Sequence, residues 1–153
     1  MNRHPRAKRL KVIVDLAEKA EQQALSEWGQ LQQKLVQEQQ QQQQLEDYAA
    51  EYQRSLSTPS AQGMTGGAIQ NALGFIGQIK QALTQQQQQL TLIEKQVDSA
   101  QQAYLEQHGK VKALHHLLEK LDHEYDQEQD KQAQRLADEW ANRAAFHNTG
   151  KQK

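Results

Sequence analysis

The second half of the chain repeats apolar residues at alternating spacings of three and four residues. That spacing places them on one face of an α-helix, at the a and d positions of a heptad. Two of the positions, Gln86 and Gln107, are polar. About eight heptads of this pattern predict a coiled-coil seam. The seam positions are Ile69, Ala72, Ile76, Ile79, Leu83, Gln86, Leu90, Ile93, Val97, Ala100, Tyr104, Gln107, Val111, Leu114, Leu118, Leu121 and Tyr125.

The first half of the chain has a less regular pattern. It predicts one register up to Ala24 and a second register from Trp28, with an inserted step that would locally unwind a supercoil. Glu38 and Gln42 are polar positions within the second register. The first register consists of Leu10, Ile13, Ala17, Ala20 and Ala24, and the second of Trp28, Leu31, Leu35, Leu45, Ala49, Tyr52 and Leu56.

A stretch around Pro59, Gly63, Gly66 and Gly67 separates the two patterns. Proline and glycine disfavour helix, whereas Ala, Leu, Glu, Gln and Lys predominate on both sides. We expect a single domain with a helix at about 6–56, a loop at 57–66, a helix at about 67–146 and a flexible tail at 147–153. Two helices joined by a short loop fold back on each other. The predicted fold is all-α, a long antiparallel two-helix coiled-coil hairpin whose second helix overhangs by about 30 residues, or roughly 45 Å.

The composition agrees with a thin seam rather than a thick core. Of the 153 residues, 36% are hydrophobic, against about 45–50% in a typical globular domain. The chain has no cysteine, which excludes disulfides, thiolate zinc sites and cysteine nucleophiles. A two-helix hairpin has no enclosed pocket for catalysis, and the loop glycines match no nucleotide-binding motif. We expect a protein that is not an enzyme and has no cofactor.

Membrane spans and secretion signals are not indicated. No stretch reaches the roughly 18 apolar residues that a span needs, and Asp15 and Glu18 interrupt the apolar stretch that follows the basic start. We expect a soluble, cytoplasmic protein. A net charge of −1 gives no global indication of nucleic-acid binding.

Charge is nevertheless unevenly distributed. A basic start contains no acidic residue, and an acidic band near residue 125 contains only one lysine. The two clusters would either pair with each other and fix the register, or bind partners such as phosphates or a membrane surface. The basic start is Arg3, Arg6, Lys8, Arg9 and Lys11; the acidic band is Glu119, Asp122, Glu124, Asp126, Glu128 and Asp130.

A histidine-rich segment raises the possibility of a metal site. His116, Glu119 and His123 recur on one helical face, and His115 lies beside them. Their heptad positions point to solvent, where no second helix can complete a ligand shell. We therefore predict no metal at this segment.

An aromatic stripe beside the seam is the most informative feature. Tyr48 and Phe75 are both g positions, which are usually charged, and a loop centred near residue 61 or 62 would make them face each other. The opposite flank is polar at the same level. The stripe predicts a partner site, with a wide core or a self-association face as the alternatives. Its members are Gln41, Leu45, Tyr48 and Tyr52 in the first helix, and Phe75, Ile79, Ala82 and Gln86 in the second.

Three segments together resemble the FliJ family, small coiled-coil proteins of the bacterial flagellar type III export apparatus. They are Arg9-Leu10 followed by Val14-Asp15-Leu16-Ala17-Glu18-Lys19, then Leu45, Tyr48 and Glu51-Tyr52 before the loop, and finally Asp138-Glu139-Trp140-Ala141-Asn142-Arg143-Ala144-Ala145. The resemblance covers nearly the whole chain, in length and in hairpin plan. It implies a role in flagellum biogenesis, motility and chemotaxis.

The resemblance also implies partners and their sites. FliJ proteins insert into the hexameric export ATPase, contact the cytoplasmic linker of the membrane export-gate protein and bind export chaperones. They act at the cytoplasmic face of the inner membrane, and this chain is expected to be monomeric. The family's gate contacts fall on Gln41, Leu45, Tyr48, Tyr52, Phe75, Ile79, Ala82 and Gln86, with Ile79 replacing a common Leu and Gln86 a His. By analogy the ATPase contacts are Arg9, Lys11, Arg135, Trp140, Arg143 and Phe146.

Two other functions remain open from the residues alone. The chain would be a structural coiled coil that associates with itself through the aromatic stripe. Alternatively, its basic start would bind nucleic acid or anionic lipid.

Overall fold

The chain folds as an all-α helical hairpin, as the sequence predicts. The computed structural model describes residues 5–57, 63 and 65–151, and of residues 149–151 it describes only the backbone. Helix α1 runs over Pro5–Ser57 and helix α2 over Gly66–Lys151. Most of the predicted loop lies outside the described residues. Helix α2 continues five residues past its predicted end, into the segment expected to be a tail.

Helix α2 begins with a threonine cap. The Ala68 amide donates to Thr65 Oγ1 at 3.2 Å, and the Ile69 amide donates to the Thr65 carbonyl at 3.1 Å. A hydroxyl at this position satisfies one of the amides that the first turn of a helix leaves unpaired. This explains how a helix can start directly at Gly66 and Gly67, although glycine is a poor helix former.

The chain divides into two compact units. Of the described residues, 5–21 and 106–151 form the terminal unit, and 22–57, 63 and 65–105 form the central unit. In the terminal unit Ala7, Val14 and Val111 are buried. Two histidines of α2 contact acidic residues of α1 there: His115 Nε2 lies 2.7 Å from Glu18 Oε1, and His108 Nδ1 lies 3.5 Å from Glu21 Oε1.

The central unit has a longer seam with an aromatic stack and a polar layer. Its buried residues are Ala49, Ile76, Ile79, Leu90 and Ile93. The rings of Trp28 and Tyr104 stack with centroids 5.6 Å apart. Cross-helix packing of this kind stabilises the hairpin beyond the area it buries.

The polar layer replaces apolar packing midway along the central unit. The Gln86 amide donates to the Glu38 carboxylate and, at 3.2 Å, to the Glu38 carbonyl. The Gln42 amide donates to Gln87 Oε1 at 2.8 Å. Since these partners lie on different helices, the layer favours one register of α1 on α2.

The predicted seam of α2 is confirmed, because every one of its positions from Ile69 to Tyr125 is buried or half-buried. The predicted start of the α1 seam is wrong in one respect. Ile13 is 52% exposed, whereas its neighbour Val14 is 2% exposed. In α1 non-exposed positions recur at alternating spacings of three and four residues, so the predicted inserted step is absent. The half-buried Glu21 occupies one of these positions, which a search for apolar residues misses. These positions are Ala7, Leu10, Val14, Ala17, Glu21, Ala24, Trp28, Leu31, Leu35, Glu38, Gln42, Leu45 and Ala49.

Neither helix, over the residues described, contains an apolar stretch long enough to span a bilayer.

Candidate partner-binding surfaces

Three aromatic side chains near the loop remain accessible to a partner. Tyr48 is 56% exposed and Phe75 is 42% exposed, and Tyr52 is also exposed. The Tyr52 and Phe75 rings lie 4.8 Å apart between centroids, at an interplanar angle of 50°. We call Tyr48, Tyr52 and Phe75 the loop-proximal patch.

The expected pairing across this patch needs a correction. The sequence predicted that Tyr48 faces Phe75, but the ring against Phe75 is that of Tyr52, one helical turn later in α1. The difference arises because seam packing sets the register, whereas the prediction assumed that the chain reverses symmetrically about the loop. Tyr48 is left beside this ring pair as the most exposed of the three aromatic residues.

A shallow groove lies on the α1 side of the patch. Its walls are the two tyrosines, the end of α1 and one small residue of α2. The lining residues are Tyr48, Glu51, Tyr52, Ser55, Leu56 and Ala72.

The remaining predicted gate residues are covered to different degrees. Gln41 is exposed, and Leu45 and Ala82 are half-buried. Ile79 is buried in the seam, and the half-buried Gln86 uses its amide on Glu38. The structure therefore brings the exposed aromatic members together and assigns Ile79 and Gln86 to holding the hairpin.

The flank opposite the patch is polar and exposed, as its sequence predicts. Glu46, Gln53, Lys80 and Gln87 are all exposed there. Leu73, one heptad before Lys80, is also exposed on this flank, so only the exposed aromatic residues near the loop are confined to the other side of the seam.

A second candidate surface lies at the end of α2, in the terminal unit. Every residue from 126 to 148 is exposed, and we call this range the C-terminal stretch. Trp140 is 70% exposed and Phe146 is 82% exposed. These two residues line an open, largely apolar surface with Arg143, Ala144 and His147. The predicted ATPase residue Arg135 is exposed in the same stretch, and Arg9 and Lys11 are exposed at the start of α1.

Three residues of the basic start do not pair with the acidic band. Lys8, Arg9 and Lys11 make no ion pair or hydrogen bond within the part of the chain that the structure describes. The contacts between His108 and Glu21 and between His115 and Glu18 join the two helices in the terminal unit. The sequence did not indicate that these two histidines of α2 contact glutamates of α1.

The histidine-rich segment does not form a ligand cluster. Among the described residues, no group of three or more His, Cys, Asp or Glu side chains is arranged to hold a metal ion. Sequence reasoning also overlooked the exposed Val12 and Leu16. The sequence could have indicated their exposure, since both are apolar residues of α1 outside the predicted seam.

The fold and its surfaces define a coiled-coil hairpin that presents apolar side chains beside its seam. A family model of the flagellar FliJ protein matches residues 6–150. The chain belongs to the flagellar FliJ family, and this membership implies a role in flagellar protein export. No curated protein and no solved structure matches the chain significantly.

Proposed function

We propose that this chain is a non-enzymatic adaptor of the flagellar export apparatus. It inserts its C-terminal stretch into the hexameric export ATPase and contacts the cytoplasmic linker of the membrane export gate through the loop-proximal patch. It also binds export chaperones and works at the cytoplasmic face of the inner membrane. The observation that carries this proposal is the exposed aromatic cluster of Tyr48, Tyr52 and Phe75 beside the seam.

The loop-proximal patch has the chemistry of a protein-binding hot spot. Aromatic residues dominate such sites because they bury a large area with few rotatable bonds. The contact between Tyr52 and Phe75 orients both rings before a partner arrives, and preorganisation lowers the entropy lost on binding. Gln41 and the half-buried Leu45 and Ala82 extend the contact along the helices.

The C-terminal stretch supports the ATPase contact. Trp140 and Phe146 are large, apolar and exposed, and Arg135 and Arg143 add positive charge. Tryptophan and arginine are enriched at binding hot spots. A rigid helix that exposes such residues fits insertion into a ring of subunits.

The gate contact is tested with a Tyr48→Ala, Phe75→Ala double variant of the full chain. The tagged proteins are used to recover partners from native cytoplasm and solubilised membranes, followed by mass spectrometry. We expect wild type to recover ATPase and gate protein, and the variant to recover the ATPase with at least tenfold less gate protein, because hot-spot truncation costs about 2 kcal/mol or more.

The matched control is Gln53→Ala, Lys80→Ala on the polar flank, which should recover the gate protein as wild type does. Circular dichroism must show the same helicity for all three proteins. Equal recovery of the gate by wild type and the aromatic variant would contradict the patch assignment.

The oligomeric state separates the adaptor from a self-associating coiled coil. Light scattering should give the mass of one chain. An obligate dimer that dissociates in the Tyr48→Ala, Phe75→Ala variant would assign the patch to self-association instead.

A further inference from the structure

The start of α1 presents an apolar strip on the side that faces away from the seam. Val12 is 60% exposed and Leu16 is 62% exposed. At about 100° per residue, both lie roughly 160° around the helix from the buried Val14. Ile13 extends the strip at its edge and is also exposed. These contiguous residues contribute nothing to the hairpin core.

Positive charges flank this strip on both sides. Lys8 and Lys19 lie on one side of it and Arg9 lies on the other, by the same helical geometry. All three are exposed, and none makes an ion pair or hydrogen bond within the described ranges of the chain. Glu18, the acid nearest to Lys19 in sequence, turns toward α2 and contacts His115. We call Lys8, Arg9, Val12, Leu16 and Lys19 the outer face of α1.

An apolar strip between unpaired cations matches the chemistry of an anionic lipid surface. Helices that lie in the membrane interface bury an apolar face at the boundary of headgroups and acyl chains, while lysine and arginine reach the headgroups. An acidic residue on such a face would oppose the negative surface potential. By helical geometry no acidic residue from 5 to 20 lies between the two lysines and Arg9, and the exposed Asp15 lies at the edge of the face, about 20° around the helix from Lys8.

We propose that the outer face of α1 binds directly to an anionic lipid bilayer, with Val12 and Leu16 inserted and Lys8, Arg9 and Lys19 at the headgroups. The seam of the terminal unit stays intact, because Ala7 and Val14 point to the opposite side of the helix. The inference does not depend on the gate or ATPase contacts of the proposed function. It gives the hairpin a membrane contact that needs no protein receptor.

The test uses the purified full chain and co-sedimentation with two kinds of vesicle, phosphatidylcholine alone and phosphatidylcholine mixed with phosphatidylglycerol. We expect binding to the anionic vesicles only, weakening as salt is raised, since exposed charges are screened within about 10 Å at 0.1 M salt. Lys8→Gln, Lys19→Gln should bind about 25-fold more weakly, because each lysine near such a surface contributes roughly fivefold. Val12→Gln, Leu16→Gln should lose about tenfold through lost apolar insertion.

Matched controls make the same chemical changes elsewhere on exposed positions. Lys110→Gln, Lys112→Gln removes two charges from α2 in the terminal unit, and Leu92→Gln removes an exposed apolar side chain. Both should bind as wild type does. Circular dichroism must give the same helicity for every variant, so that lost binding is not lost folding.

Several results would overturn the inference. If neutral vesicles bind the chain as strongly as anionic vesicles do, charge plays no part in binding. If the control variants lose as much binding as the variants of the outer face, this face is not the binding site. Binding that depends on Lys8 and Lys19 but not on Val12 and Leu16, and that duplex DNA displaces, would make the face a general polyanion site instead.

Discussion

The two tryptophans of this chain illustrate how differently one residue type is used in it. Trp28 is half-buried and stacks on Tyr104 across the central unit. Trp140 is 70% exposed in the C-terminal stretch. The first ring stabilises the hairpin, whereas the second is available to a partner.

This contrast predicts that the same substitution changes stability much more at one position than at the other. Trp28→Ala should lower the free energy of unfolding by about 2–3 kcal/mol, somewhat below the value for a fully buried aromatic residue, because it removes a cross-helix ring and leaves a gap. Trp140→Ala should change stability by less than about 0.5 kcal/mol, as expected for an exposed site. Urea unfolding followed by circular dichroism measures both.

Fluorescence provides an independent check on the assignment of the rings. With Trp140 replaced by Phe, the remaining emission should be shifted to the blue and resist acrylamide quenching. Strong quenching of Trp28, together with a negligible loss of stability in Trp28→Ala, would contradict its packing role.

At the scale of the helices, the spacing of apolar residues located the buried face of α2 but only part of the buried face of α1. In α2 nearly every seam position is apolar, so spacing alone located the buried face. In α1 the seam includes Glu21, Glu38 and Gln42, and apolar Val12, Ile13 and Leu16 lie outside it. A hydrophobicity pattern then points to the wrong residue, and packing against α2 selects Val14 instead of Ile13.

The polar layer of the central unit makes a prediction about the pair of helices. Replacing both Glu38 and Gln86 by Leu should raise stability by about 1–2 kcal/mol, because well-packed apolar residues can exceed a half-buried polar pair. Gln86→Leu alone should destabilise, because it leaves the Glu38 carboxylate without the amide that binds it. Thermal unfolding of the single and double variants measures the difference.

The same variants report on register. If the polar layer selects one alignment of the helices, the double Leu variant should show broadened amide signals in nuclear magnetic resonance despite its higher stability. A double variant less stable than the Gln86→Leu single variant would show that the layer stabilises the fold rather than specifying it.

For the whole molecule, the important distinction is between residues that pack in the seam and residues that stay exposed to partners. The terminal unit carries the C-terminal stretch and the outer face of α1, and the central unit carries the loop-proximal patch. The sequence located Tyr48 and Phe75 from their g positions, whereas Tyr52 was predicted in the seam as well as in the stripe and is exposed. It placed Ile79 and Gln86 in both the seam and the stripe, and it could not decide between the two because exposure depends on how α1 packs against α2.

A truncation tests this distinction. Deleting residues 131–153 removes only exposed side chains among those described, so the thermal midpoint should shift by less than about 4 °C, or roughly 1 kcal/mol. Recovery of the export ATPase should be lost and recovery of the gate protein retained. A large fall in the midpoint would show instead that the stretch stabilises the hairpin.

The contact between Tyr52 and Phe75 has a consequence for quality control. The two rings belong to different helices, so the surface they form exists only while α1 and α2 lie together. A partner that requires both rings therefore recognises a conformational epitope rather than a linear one. Nascent, cleaved or partly melted chains would not compete for that partner, and binding would itself select the correctly closed protein.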